Sequence, residues 1–196
     1  MKKYLTIIIA IFFATVLHAQ KIRYGVEAGI NTGYLNLKGD DGIENNSTGW
    51  QGGFTALIPV GKQLALQPKM LLVQRNTRVS YARLDLKFLE VPVCLVYSKD
   101  GFTAGAGAGL VYGISAKARY KYEDESSIYS LYEPNESEIT LRRAGITANV
   151  TMGYIFPNGI AVNAHFSPVL NDLQKDGYVE GIYSKTIGFS VGYYFR

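Results

Sequence analysis

Tyr183-Ser184-Lys185-Thr186-Ile187-Gly188-Phe189-Ser190-Val191-Gly192-Tyr193-Tyr194-Phe195 closes the chain, and its reading decides the rest. The odd positions are large, and from Ile187 onward all are apolar or aromatic. The even positions, Tyr194 apart, are Ser, Thr or Gly. Period-two alternation marks a strand with two unlike faces. The small face is too slight for the solvated side of a soluble sheet. It suits the lining of a narrow barrel, with the large side chains turned to lipid. A soluble, lipocalin-like barrel would put Phe189, Val191 and Tyr193 inside and Ser190 and Gly192 outside, and uncharged, glycine-rich outer faces argue against it.

Seven further alternating segments precede this one, over residues 23–34, 50–60, 63–75, 84–97, 102–115, 139–156 and 160–168. The segment from Phe102 has the cleanest pattern: Phe102, Ala104, Ala106, Ala108, Leu110, Tyr112 and Ile114 face one way, and Thr103, Gly105, Gly107, Gly109, Val111, Gly113 and Ser115 the other. In 139–156 the pattern puts Arg143, Thr147, Asn149 and Thr151 inside. In 84–97, Leu84, Leu86 and Phe88 share one parity and Leu89, Val91, Val93, Leu95 and Tyr97 the other. Keeping both sets toward lipid requires an extra residue, so a β-bulge is expected near Phe88–Leu89. Pro92 lies in the same strand, where it must give up a ladder bond or sit beside such an irregularity. Connections alternate long (38–49, 76–83, 123–138, 171–181) and short (61–62, 98–101, 157–159). That alternation is the habit of outer-membrane barrels, with short turns in the periplasm. The fold class expected is all-β: an eight-stranded antiparallel transmembrane barrel of up-and-down type.

The amino terminus reads as a secretory leader, with Lys2 and Lys3 before an apolar run too short to span a bilayer as a helix. Cleavage after Ala19 would leave one barrel domain, 20–196. Removing Lys2 and Lys3 lowers the formal charge from +4 to +2, since 18 basic residues then face 16 acidic ones. No basic stripe favours nucleic acid. One cysteine, Cys94, excludes an internal disulfide. Its parity is inward and nothing electropositive in the sequence activates it, so it reads as a buried inert thiol. One mature His and one Cys make a poor metal set; neither metal nor cofactor is expected. Gly105-Ala106-Gly107-Ala108-Gly109 lacks the Lys-Ser/Thr and the following helix of a phosphate loop.

Four stretches follow one another along the chain: Tyr24-Gly25-Val26-Glu27-Ala28-Gly29-Ile30-Asn31, then Phe88-Leu89-Glu90-Val91-Pro92-Val93, then the glycine-rich strand with Gly105, Gly107, Gly109, Tyr112 and Gly113, and the terminal Gly192-Tyr193-Tyr194-Phe195-Arg196. In these the chain resembles the PorT-like outer-membrane β-barrel proteins of Bacteroidetes. The resemblance implies an eight-stranded barrel in the bacterial outer membrane and says little of activity.

An eight-stranded barrel leaves an interior that side chains fill. Counting up from the short turns puts Glu27, Lys69, Glu90, Asn149 and His165 at one level, as a polar belt. Unpaired charge there would cost several kcal/mol, and Lys69 with Glu90, on neighbouring strands, is the expected ion pair. The role expected is non-enzymatic: structural, adhesive, or as a subunit of an envelope complex, with the lumen plugged by polar side chains. Two alternatives stand beside it. One is a narrow gated channel, opened by exchange of partners in the belt. The other is a lipid-modifying hydrolase using His165 and Ser167, whose spacing puts base and nucleophile on one face, with Glu27 or Glu90 to orient the His. The acidic run Glu123, Asp124, Glu125, Glu133, Glu136 and Glu138 reads as a solvated loop. Expected partners are outer-membrane lipid and lipopolysaccharide, the barrel-assembly machinery, and an envelope protein; no nucleic acid is expected.

Overall fold

Eight strands close into a ring in the computed structural model, which describes residues 22–37, 45–79, 82–122, 125–132, 140–172, 174–176 and 182–195. The expected leader, 1–19, lies outside these residues, as do Glu123, Asp124, Glu133, Glu136 and Glu138. The barrel strands are β1 (Arg23–Leu37), β2 (Asn45–Pro59), β3 (Leu64–Val79), β4 (Ala82–Lys99), β5 (Phe102–Tyr122), β8 (Ala144–Ile155), β9 (Ile160–Pro168) and β11 (Ile182–Tyr194). Each pairs antiparallel with its neighbours along the chain, and β1 pairs with β11 to shut the ring. β6 (Glu125–Ser130) extends β5, and β7 (Thr140–Leu141) pairs with β10 (Gln174–Asp176).

The burial pattern is inverted relative to a soluble barrel. Ile30 and Leu110 are 65% exposed, whereas Gln67 and Thr186 are 1% exposed. Large apolar side chains therefore form the outer surface and polar ones the filling, as a barrel in lipid requires. Full closure also satisfies every strand edge, which hydrocarbon cannot do with water. Asp100 (φ 51°) and Gly101 (φ 88°) form the two-residue turn between β4 and β5, the left-handed pair that matches strand twist in tight hairpins. Between β3 and β4 the ladder skips from Pro68↔Val93 to Leu71↔Glu90, around the donorless Pro92.

Several strands run further than the polarity of their sequence suggests. Residues 76–83 read as a loop, yet β3 continues to Val79 and β4 begins at Ala82, with Asn76 opposite Asp85. A strand crosses lipid in about 9–11 residues; β5 has 21. Beyond the bilayer both faces of a sheet are wet, so polarity there no longer marks a loop. The acidic loop likewise contains β6. The 139–156 segment is broken at Arg142-Arg143, and Arg143 is exposed rather than inward.

The irregularity expected near Phe88–Leu89 falls between Lys87 and Phe88, but the extra residue is on the partner strand. Lys87 pairs with Ser115 and Phe88 with Gly113, leaving Ile114 unmatched on β5. β4 keeps one parity throughout: Leu86, Phe88, Glu90, Cys94 and Val96 are all buried inside. Leu84, Leu86 and Phe88 are thus lumen residues, not lipid-facing ones. β5 is the strand that switches, from Gly113 inward to Ala116 inward.

Candidate functional site: the layered lumen

Read upward from the short Asp100-Gly101 turn, β4 alone samples three layers of the lumen: Val96 and Cys94, then Glu90, then Phe88 and Leu86. The first layer is apolar, with Leu57, Ala65, Cys94, Val96, Ile155, Ala161 and Tyr194 packed together. Tyr194 turns its hydroxyl up to the next layer, where Gln67 Nε2 donates to it at 3.0 Å and Thr55 Oγ1 lies 3.3 Å away. The outermost layer is apolar again: Leu86, Phe88, Val111, Ala116, Leu131 and Val169, with Leu84, Tyr132 and Leu141 against it. Leu131 and Tyr132 come from the segment after β6, so an outside loop helps to close the mouth. Tyr132 fits over Gly113, where any Cβ would collide with its hydroxyl. The Arg143 guanidinium lies 4.5 Å from the centre of its ring. Burial pushes the Tyr132 hydroxyl up to about 12, with Arg143 pulling the other way.

Among the described residues, the buried charges are Glu27, Lys69, Arg75 and Glu90, and they meet in the middle layer. Lys69 Nζ donates to both carboxylate oxygens of Glu27, at 2.9 and 3.1 Å. The pairing expected between Lys69 and Glu90 is therefore corrected. Lys69 reaches across β2 to β1, and Glu90 accepts from Arg75 Nη2 instead. Two strands away a long side chain still reaches, because a narrow barrel curves its walls together. Arg75 is 2% exposed. It also donates to Ser184 Oγ on β11 at 3.2 Å and stacks 5.0 Å above the Phe88 ring. Arg75 was legible as inward from its parity with Lys69, but its position at the end of the expected strand hid it. Lys69, Glu90, Asn149 and His165 line one cavity of about 20 Å³, with Cys94 below. Asn149 Nδ2 donates to Thr147 Oγ1 at 2.8 Å. The His165 ring lies over Gly188, where a Cβ would meet it and Gln51 Oε1.

The His165–Ser167 pair does not assemble as a nucleophile and base. Ser167 is 1% exposed and its hydroxyl has no hydrogen-bond partner. Both candidate orienting acids are committed, Glu27 to Lys69 and Glu90 to Arg75. Among the described residues, no three of His, Cys, Asp and Glu gather into a metal-binding group.

A closed antiparallel ring with an apolar outside and a charged, filled inside defines a transmembrane barrel of the bacterial outer membrane. Residues 18–175 match the family described as outer membrane protein beta-barrel domain, and the chain belongs to that family. The fold is also that of two solved barrels. One is Ail, the attachment invasion locus protein of Yersinia pestis, with a TM-score of 0.57 at 11% identity, covering 90% of this chain and 100% of that one. The other is Neisserial surface protein A, with a TM-score of 0.55 at 12% identity and the same coverage. The search of curated proteins gave no match.

Proposed function

We propose that this protein is a sealed, non-enzymatic outer-membrane scaffold, acting in adhesion or as a subunit of an envelope complex through what it holds outside the membrane. The observation that carries this reading is the pair of apolar layers, one at each end of the ion-paired belt. A hydrated ion would have to pass both. Extension of β4, β5 and β6 beyond the bilayer supplies the outside surface, and loops on rigid scaffolds are where binding concentrates. Lipopolysaccharide, the assembly machinery during biogenesis and an envelope protein are the partners it would meet. A gated channel would need both layers to open. A hydrolase would need Ser167 and His165 joined and open to lipid.

Planar-bilayer recording tests the reading. The wild-type protein should show no discrete conductance steps, and Lys69→Met should show none either. Steps in the wild type that Lys69→Met alters would replace the scaffold with a gate. Mass spectrometry of lipid A from expressing cells should show no acyl loss; loss that depends on Ser167 would make the protein a hydrolase.

A further inference from the structure

Across the outer wall, paired residues form rows that climb obliquely round the barrel. One runs Ala28, Gly52, Leu72, Leu89, Tyr112 and Ala144; followed the other way from Ala28 through Val191, Val162 and Tyr154, it meets β5 again at Phe102. Height is therefore compared along each strand. All of these face outward and none is charged. The next row up contains Ile30 and Trp50 and, on the neighbouring strands, Gln74 and Lys87. The row above that brings Thr32, Thr48, Asn76, Asp85 and Lys117. Trp50 and Tyr112, about half exposed, stand where the wall changes from apolar to polar. Amphipathic aromatics mark the level of the lipid headgroups.

Lys87 lies one outward step above Leu89, about 7 Å along the strand. Lys87, Lys117 and Arg119 are all exposed on this face. Arg119 Nε donates back down the wall to Asp85 Oδ2 at 3.1 Å, which orients the guanidinium beside the two lysines. The described side chains of this patch thus set three cations against one carboxylate. Gln74 Nε2 donates to Asn76 Oδ1 at 3.1 Å alongside.

We propose that Lys87, Lys117 and Arg119, above the Trp50–Tyr112 girdle on β4 and β5, bind a phosphate group of an outer-leaflet phosphorylated glycolipid. Two observations carry this independently. Charge complementarity selects an anion. Height along β4 selects a lipid anion, because Lys87 stands one outward step above Leu89, at the top of the apolar wall formed below it by Leu89, Val91, Val93 and Leu95, against which acyl chains would lie. The site is on the outer wall and does not depend on whether the lumen conducts.

Trp50 is the single tryptophan, three strands from Lys117 and close enough to report on a lipid seated there. The protein is reconstituted in phosphatidylcholine vesicles containing brominated diphosphoryl lipid A, and quenching of Trp50 gives its preference over phosphatidylcholine. Lys87→Gln/Lys117→Gln should weaken that preference roughly 25-fold, at about fivefold for each cation near an anionic surface. Brominated lipid A stripped of phosphate should bind the wild type no better than it binds the variant. Lys185→Gln, on β11 outside the patch, should match the wild type. Heat-modifiable migration checks that each variant is folded, and single Lys117→Gln serves if the double variant is not. Phosphate-independent quenching, an unchanged lysine variant, or an equal loss in Lys185→Gln would overturn the site. Displacement of lipid A by millimolar inorganic phosphate would assign the patch to free phosphate and overturn the lipid proposal.

Discussion

Lys69→Met removes the cation that faces Glu27 and keeps most of the side-chain volume. In the wild type the two side chains are 6% and 1% exposed, and Nζ contacts both carboxylate oxygens. Loss of one partner of such a pair leaves an uncompensated charge inside and costs about 3–5 kcal/mol. The cavity beside Lys69, about 20 Å³, is large enough for one water molecule, which favours the lower end of that range. With a urea dependence of about 2 kcal/mol per molar for a chain of this size, the unfolding midpoint should fall by roughly 1.5–2 M. Trp50, on the lipid-facing wall, reports unfolding from vesicles through its emission. Glu27→Gln/Lys69→Met removes both charges together and should recover the whole loss, since neutral replacements of buried pairs are often as stable as the pairs themselves. A single variant within about 1 kcal/mol of wild type would refute the reasoning. So would a double variant no better than the single, which would make Lys69 a packing residue.

Two further outcomes follow from the mouth and the wall. Tyr132, which titrates near 12 rather than 10, favours the folded mouth fully below pH 10 and loses that contribution as pH rises through 12; absorbance at 295 nm, wild type minus Tyr132→Phe, should isolate this late step. Phe189→Arg, on a face 60% exposed, should cost about 2–4 kcal/mol in vesicles because the charge meets hydrocarbon; a harmless substitution would contradict burial of that wall in lipid.

The alternation of Tyr183–Phe195 indicates the inside-out surface, and the same pattern repeated in seven earlier segments indicates eight strands, because in lipid each face obeys a single rule. That rule lapses in two places, and the misread loops and the misassigned face of β4 lie there. Above the bilayer, polar residues line both faces, so 76–83 and part of 123–138 read as loops although they contain strand. At the mouth the lumen itself is apolar, so Leu84, Leu86 and Phe88 were assigned to lipid. Depth counting set Glu27, Lys69, Glu90, Asn149 and His165 at one level; in the structure Lys69, Glu90, Asn149 and His165 line one cavity and Glu27 pairs with Lys69. It could not choose ion partners, since reach across a curved wall depends on side-chain length as well as adjacency. Arg75 shows this most plainly: it touches Glu90 beside it and Ser184 on β11.

The bulge at Ile114 separates two jobs of β5. Below it, β5 pairs with β8 as far as Tyr112↔Ala144; above it, β5 takes β6 as partner from Lys117↔Ser130. An extra residue bends and twists a strand locally, and here the bend falls where β5 leaves the barrel and begins the outside wall that carries Leu131 and Tyr132 over the mouth. Deleting Ile114 would leave every β4–β5 pair in place and turn no side chain to the other face, because the unmatched residue is the one removed. The barrel should therefore still fold and remain heat-modifiable. Straightened, the upper strand should no longer seat Tyr132 over Gly113, and Arg143 would lose its ring. Trypsin should then cut after Arg142 and Arg143 faster than in the wild type. Deleting Leu110 instead would turn Tyr112 and Ile114 into the lumen, into the space that Tyr132 occupies, and should abolish folding. If the two deletions behaved alike, the bulge would be part of the barrel's register rather than a joint between barrel and outside wall.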